Sequence, residues 1–281
     1  TRRLHHASLL GGPRLNKISK QLQPYIIGPG GSWKRSNSRL TKMRTCFYRA
    51  RKIGETIQIP NGVPISEEEL KECMSFKSFV STSAPMTSSD GRTIAEYLIG
   101  NQFTRSLLLY NGQLQDKGVM AIAATIEFSS PEIQNSVLQT LGIGNHNVGV
   151  RGALALSKAL KAKHCALTCL YLENNPKIGD VGIEMIANAL EKNVRLEKLV
   201  LSSNNINDKG CVSLANSMIK NSSLRHLTLN HNNIGCSGFN ALISVMSNGR
   251  NTTLSHLIIS NNTKISNTGA SHLAKCIGSS M

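Results

Sequence analysis

The chain has 281 residues, 40% of them apolar but only 4% aromatic, so any core must be built from Leu, Ile, Val and Ala rather than from aromatic anchors. No apolar run approaches the roughly 18 residues that span a bilayer as a helix, which excludes a transmembrane helix in this sequence. The formal net charge of +16 is concentrated at one end: residues 1–54 hold 13 Lys and Arg and no Asp or Glu, whereas the rest of the chain holds 19 basic and 16 acidic residues. The charge therefore belongs to an arm and not to the whole fold.

Residues 1–45 are expected to form this basic, flexible arm, suited to RNA or to an acidic lipid or protein surface. Arg-rich, Ser-containing and acid-free, the arm also has the composition of organelle transit peptides. The chain opens on Thr1, from which a processed or partial chain is expected.

Between residues 46 and 100 a different pattern is written. It runs Phe47-Tyr48-Arg49, then Glu67-Glu68-Glu69, then Phe76-Lys77-Ser78-Phe79-Val80-Ser81-Thr82-Ser83, then a helical stretch from Asp90 to Ile99. The Tyr-Arg pair followed by this Ser-Thr-Ser phrase resembles the arginine-modifying mono-ADP-ribosyltransferases. The resemblance implies that Arg49 contacts NAD, with Ser81, Thr82 and Ser83 on the strand beside the nicotinamide. An arginine fits a diphosphate well. The likeness is partial. The family places a Glu-x-Glu after the Ser-Thr-Ser strand, and its last carboxylate stabilises the charge that develops as nicotinamide leaves. Here Glu67 and Glu69 precede Ser81, and Glu127 stands alone. The apolar residues that follow the glycine of Asp90-Gly91 stand at offsets of three and seven, out of step with the pattern downstream. The competing expectation is that the segment simply caps the neighbouring domain, whose end needs a cover over its apolar edge.

That downstream pattern fills residues 101–281. Leu167-x-x-Leu170-x-Leu172-x-x-Asn175 recurs from Leu196 to Asn204, from Leu224 to Asn232 and from Leu254 to Asn262. Leu138, Leu141 and Ile143 fit with His146 at the Asn place, and Thr104, Leu107, Leu109 and Gly112 form a weaker first copy. Successive copies start 34, 29, 29, 28 and 30 residues apart. Inside each period a glycine (Gly118, Gly152, Gly182, Gly210, Gly238 and Gly269) is followed by apolar residues at offsets of four and eight, the mark of one helix face. Asp116, Asp180 and Asp208 stand two residues before their glycines, where they are expected to cap those helices. Six periods of strand, turn and helix make an α/β solenoid. A 28–29 residue period with a full helix resembles the leucine-rich repeats of the ribonuclease-inhibitor type, a horseshoe class that implies protein recognition on the strand face.

In such a solenoid the residues between the strand leucines point into the concave face. This predicts a mid-strand stripe of Leu108, Gly142, Tyr171, Val200, Thr228 and Ile258, flanked by Tyr110, Glu173, Arg225, Asn230, His231 and His256. Tyr and Arg among small polar groups suit a protein interface. The seven cysteines follow no disulfide spacing, which points to a reducing compartment and a cytoplasmic protein. His164, Cys165 and Cys169 are too few for a structural zinc site, so no metal is expected. Sequons at Asn221, Asn251 and Asn261 are expected by chance in an Asn-rich chain.

Three functions compete on these grounds. The first is a protein-binding repeat domain joined to an incomplete ADP-ribosyltransferase-like segment, with no certain cofactor. The second is an active NAD-dependent protein-arginine ADP-ribosyltransferase whose glutamates lie outside the recognised motifs. The third is a scaffold tethered to RNA or membrane by its arm.

Overall fold

The computed structural model describes residues 51–53, 56–59, 78–81, 86–128 and 137–278. The basic arm, Arg49, Thr82 and Ser83 lie outside the described residues.

The described residues begin with a short hairpin, β1 (Arg51–Ile53) and β2 (Thr56–Ile59), paired antiparallel. From there strands and helices alternate: β3 (Ser78–Ser81), α1 (Ser88–Leu98), β4 (Ser106–Tyr110), α2 (Gln115–Glu127), β5 (Thr140–Gly144) and α3 (Val150–Lys161). The same alternation continues through β6 (Cys169–Tyr171), α4 (Gly179–Leu190), β7 (Lys198–Val200), α5 (Asp208–Met218), β8 (His226–Thr228), α6 (Cys236–Ser247), β9 (His256–Ile258) and α7 (Asn267–Gly278). The described strands form one nine-stranded sheet in strict chain order, and from β2 onward every pairing is parallel. Each helix from α1 to α6 is the crossover that a parallel pair requires, and α7 follows the last strand.

The register puts like residues side by side. Leu107, Leu141, Leu170, Leu199, Leu227 and Leu257 form one row across the sheet. All but the terminal Leu257 are fully buried, as are Leu109, Ile143, Leu172, Leu201 and Leu229 two residues on. The helices lay their apolar stripes over this face, for example Ile183, Ile186, Ala187 and Leu190 of α4. Each buried Leu or Ile contributes on the order of 1.5–3 kcal/mol relative to exposure.

Two ladders of asparagine satisfy the turns. Asn175 accepts the N–H groups of His146 and Val148 at 3.1 and 3.0 Å and donates to the carbonyls of Ile143 and Leu172 at 2.7 and 2.9 Å. Asn232 repeats this scheme with Asn204, Ile206, Leu201 and Leu229. The second ladder, absent from the sequence reading, lies three residues before the first Leu of the repeat. Asn193, Asn221 and Asn251 donate to the helix-end carbonyls of Leu160, Leu190 and Met218 at 2.7–2.8 Å. Their Oδ1 atoms accept the N–H groups of Leu196, Leu224 and Leu254. The amides of Asn221 and Asn251 are therefore consumed by the fold, which accounts for two of the three sequons; Asn261 alone is exposed.

The capping expectation is corrected. Asp116, Asp180 and Asp208 each lie in the first turn of their own helix but cap the helix of the following repeat. Asp116 Oδ1 accepts from Gly149 and Gly152, and Asp208 Oδ1 accepts from Gly235 and Gly238, at 2.7–3.0 Å. At the next rung Cys236 stands in for the carboxylate and accepts the Ser266 N–H at 3.4 Å. The bond from the Ser266 side chain, with that from its backbone, holds the Cys236 thiol below its ordinary range.

The register of the 78–99 segment also differs from the expectation. β3 continues the sheet in parallel with β4, with Phe79 beside Leu107 and Ser81 beside Leu109. Phe79 and Ser81 are fully buried, in the places that leucines hold elsewhere. Gly91, Ile94, Ala95 and Leu98 form an i, i+3, i+4, i+7 stripe that faces the core. A Cβ on Gly91 would lie 2.6 Å from the Gly118 Cα, so α1 and α2 meet through the same glycine row that serves the repeats. The helix is capped by its own Thr87 and Asp90 in a capping box.

Candidate functional site

Parallel sheets are ordinarily covered on both faces. This one is covered on one. In β4, β6, β7 and β8 the buried residues alternate with half-buried ones, so the second face is open among the described residues.

The register defines what the open face carries. One row runs Ser106, Thr140, Cys169, Lys198, His226, His256, and the next runs Leu108, Gly142, Tyr171, Val200, Thr228, Ile258. The mid-strand stripe expected from the sequence is thus brought together. Leu108, Tyr171, Val200 and Thr228 are half-buried in it and Ile258 is 49% exposed at the sheet edge. Tyr110, at the end of β4, lies across β5. A Cβ on Gly142 would come within 3.0 Å of its hydroxyl, and one on Gly144 within 2.5 Å of its ring. The two glycines therefore make a floor that any side chain would fill.

Glu173 borders this floor, 3.2 Å through its Cγ from the same Gly144 position. Burial pushes its carboxyl above the usual range, against the opposing pull of its own N–H and of Lys198. Tyr110 has its phenol raised by burial, by Glu173 and by Tyr171 in that order. The Lys198 ammonium sits 5.2 Å from the centre of the Tyr171 ring, a cation–π contact. Beyond it the His226 and His256 rings stack at 4.4 Å with 14° between planes.

Three predicted residues are placed elsewhere or used differently. Arg225 is exposed at the entrance to β8, and it is His226 that takes the outward place in the row. His231 has a left-handed backbone, φ 53°, on the turn after β8, where it meets Asn261 at 3.0 Å. There it lines a shallow polar groove with Asn174 and Asn205. Asn230 accepts the Ser260 N–H through its side-chain Oδ1 at 2.9 Å. Lys198 and His226 stand one place before the second leucine of their repeats, the place that His256 holds in its own.

The cofactor residues can be placed only at Ser81. Its hydroxyl lies inside the core with no hydrogen-bond partner among the described residues. His164, Cys165 and Cys169 do not converge. The His164 ring bonds to the Ile126 carbonyl at 2.6 Å, Cys165 is buried and Cys169 lies on the open face. Among the described residues no group of three His, Cys, Asp or Glu could hold a metal ion. None of the helices there is long and apolar enough to cross a membrane.

A parallel sheet backed by one row of helices, with asparagine ladders at the turns and the other face open, defines an α/β repeat solenoid. Four of the repeats are leucine-rich repeats: the family model of that description matches residues 163–187, 192–215, 220–242 and 250–274. Among solved structures the fold resembles that of the Rad7–Elc1 complex of yeast, at a TM-score of 0.52 and 14% identity. That match covers 78% of this chain and 59% of the other, so the chain spans about three fifths of the relative's length. A second match is to actin-binding site 2 of leiomodin-1, with TM-score 0.44, 18% identity, and 57% of this chain and 87% of that one covered. The comparison with curated proteins returns no match.

Proposed function

We propose that the open sheet face holds another protein. The observation that carries this reading is a parallel sheet left uncovered where parallel sheets are ordinarily covered. It presents Leu108, Tyr110, Tyr171 and Val200 half-buried in one continuous patch. Amphipathic Tyr beside aliphatic residues, with Lys198, His226 and Arg225 at the border, is the composition of an interface centre and its rim. The 28–30 residue spacing, with a full helix after each strand, supports the ribonuclease-inhibitor subtype of repeat. The free, buried thiols of Cys165 and Cys211 support a reducing, cytoplasmic setting.

The test is capture of interacting proteins by the full chain and by a Tyr171→Ala, Arg225→Ala double variant of unchanged melting midpoint. Buried Tyr and Arg anchors cost about 2 kcal/mol or more when truncated, so the double variant should lose its partners. Equal capture by both would remove the open face as the site.

We also read residues 78–99 as a repeat-like unit that begins the solenoid, because β3 and α1 occupy repeat positions. On this reading the Ser81 hydroxyl is a core substitution and not a nicotinamide contact.

A further inference from the structure

We propose that His226 and His256, side by side on the open face, form a two-ligand site for a divalent transition metal ion, zinc above all. The site stands on its own observations, whether or not that face holds a protein.

β8 and β9 pair in parallel with His226 opposite His256, so the two rings leave the same face of the sheet from neighbouring strands. Their centroids are 4.4 Å apart with 14° between planes. His226 is half-buried and His256 exposed, so the pair is open to solvent.

Imidazole binds such an ion through a nitrogen that carries no proton. The neighbours of His256 provide one. Its Nδ1 lies 2.9 Å from the Ser255 hydroxyl, which lies 3.1 Å from the Arg225 carbonyl. A hydroxyl has one proton to give, and a carbonyl can only accept. Both bonds are made at once only when Nδ1–H donates to Ser255 and Ser255 donates to Arg225. The neutral ring then bears its lone pair on Nε2. Metal-binding histidines are held in this way, the other ring nitrogen donating to a partner that fixes tautomer and orientation.

His226 supplies the second nitrogen. Two nitrogens bound to one tetrahedral zinc, each at about 2.0–2.1 Å, lie about 3.3 Å apart. Ser255 holds the His256 ring, and the His226 ring turns out of the stack to converge on its Nε2. Lys198, next in the row, does not oppose the ion. Its ammonium leans over Tyr171 on the far side, 5.2 Å from the ring centre. Two protein ligands leave the remaining positions of a four-coordinate ion open to solvent, unlike a closed structural site. Magnesium, which demands oxygen ligands, finds none in these rings.

The experiment uses the full chain with isotope-labelled histidine, its ring nitrogens followed by NMR. Zinc chloride is the probe and magnesium chloride the control. Without metal, His256 is expected as the Nδ1–H tautomer. Zinc should shift the His226 and His256 ring nitrogens together and saturably, and magnesium should not. These signals read this pair, whatever other histidines and cysteines bind. His226→Gln or His256→Gln should weaken the zinc response of the remaining ring by about tenfold or more, and Ser255→Ala, which keeps both ligands, by on the order of tenfold. An Nε2–H tautomer in the metal-free chain, a zinc shift confined to one ring, or a response of one ring that survives loss of the other overturns the proposal.

Discussion

Asp180 accepts the backbone N–H of Gly210 at 3.1 Å through the same oxygen that takes the Asn207 N–H at 2.7 Å. One carboxylate thus closes the first turn of a helix thirty residues ahead. Capping across repeats couples neighbours in a way that capping within a helix does not, since each repeat's helix start depends on the previous repeat being in place. Asp180→Ala should cost about 1 kcal/mol, and up to about 2, the range for losing an N-cap acceptor. Chemical denaturation is the check, with Glu184→Ala on the exposed side of α4 as a control expected to lie within about 0.5 kcal/mol of the parent. Equal midpoints for the two variants would remove the carboxylate from the account.

The inner asparagine ladder should not be uniform. Asn175 serves two N–H donors and three carbonyls, whereas Asn204 accepts the Asn175 N–H at 3.0 Å and its Nδ2 finds no partner among the described residues. Leaving a buried polar group unpaired costs about 1–3 kcal/mol. Asn204→Ala should therefore destabilise by about 1–3 kcal/mol, and Asn175→Ala by more. Equilibrium unfolding of both variants tests the ranking; an Asn204→Ala midpoint matching wild type would reject the ladder at that rung.

His146 occupies the asparagine place in its repeat, fully buried, with its Nδ1 accepting the Leu114 N–H at 3.3 Å. Burial lowers its pKa from 6.5 to about 4, with the Leu109 carbonyl pulling slightly the other way. Above pH 6.5 both folded and unfolded forms are neutral and the group is silent. Between pH 6.5 and about 4 the unfolded chain binds a proton that the folded chain refuses, so stability falls as pH falls, by about 3 kcal/mol across the window. His146→Asn removes this contribution. Melting midpoints from pH 7 to pH 4 should fall more steeply for the parent than for the variant, and parallel curves would contradict the assignment.

The Ser81 hydroxyl lies inside the core beside the Leu109 strand position. On the proposed reading of this segment as a repeat-like unit, a hydroxyl so placed packs the core and does not orient a nicotinamide ring. Nicotinamide release from labelled NAD, with an arginine-rich acceptor, is expected to stay at the level of the Ser81→Ala chain. Turnover well above that control would return the segment to enzymology.

The repeats were legible in the sequence because their leucines recur at a fixed spacing, and only one face of a strand and one stripe of a helix can produce that spacing. The positions of Tyr110, Tyr171 and Glu173 on the open face followed from the same alternation. Tertiary structure decided what spacing does not encode. Asp116, Asp180 and Asp208 sit in helix starts, and only the stacking of repeats shows that their carboxylates reach the next helix. Asn221 and Asn251 read only as sequons until the neighbouring helix end supplies the carbonyls they bind. Phe79 and Ser81 broke the leucine pattern and suggested a different protein. Hydrogen bonding along the sheet edge takes its register from the backbone, so β3 could join the solenoid with a phenyl ring and a hydroxyl where its neighbours carry leucine.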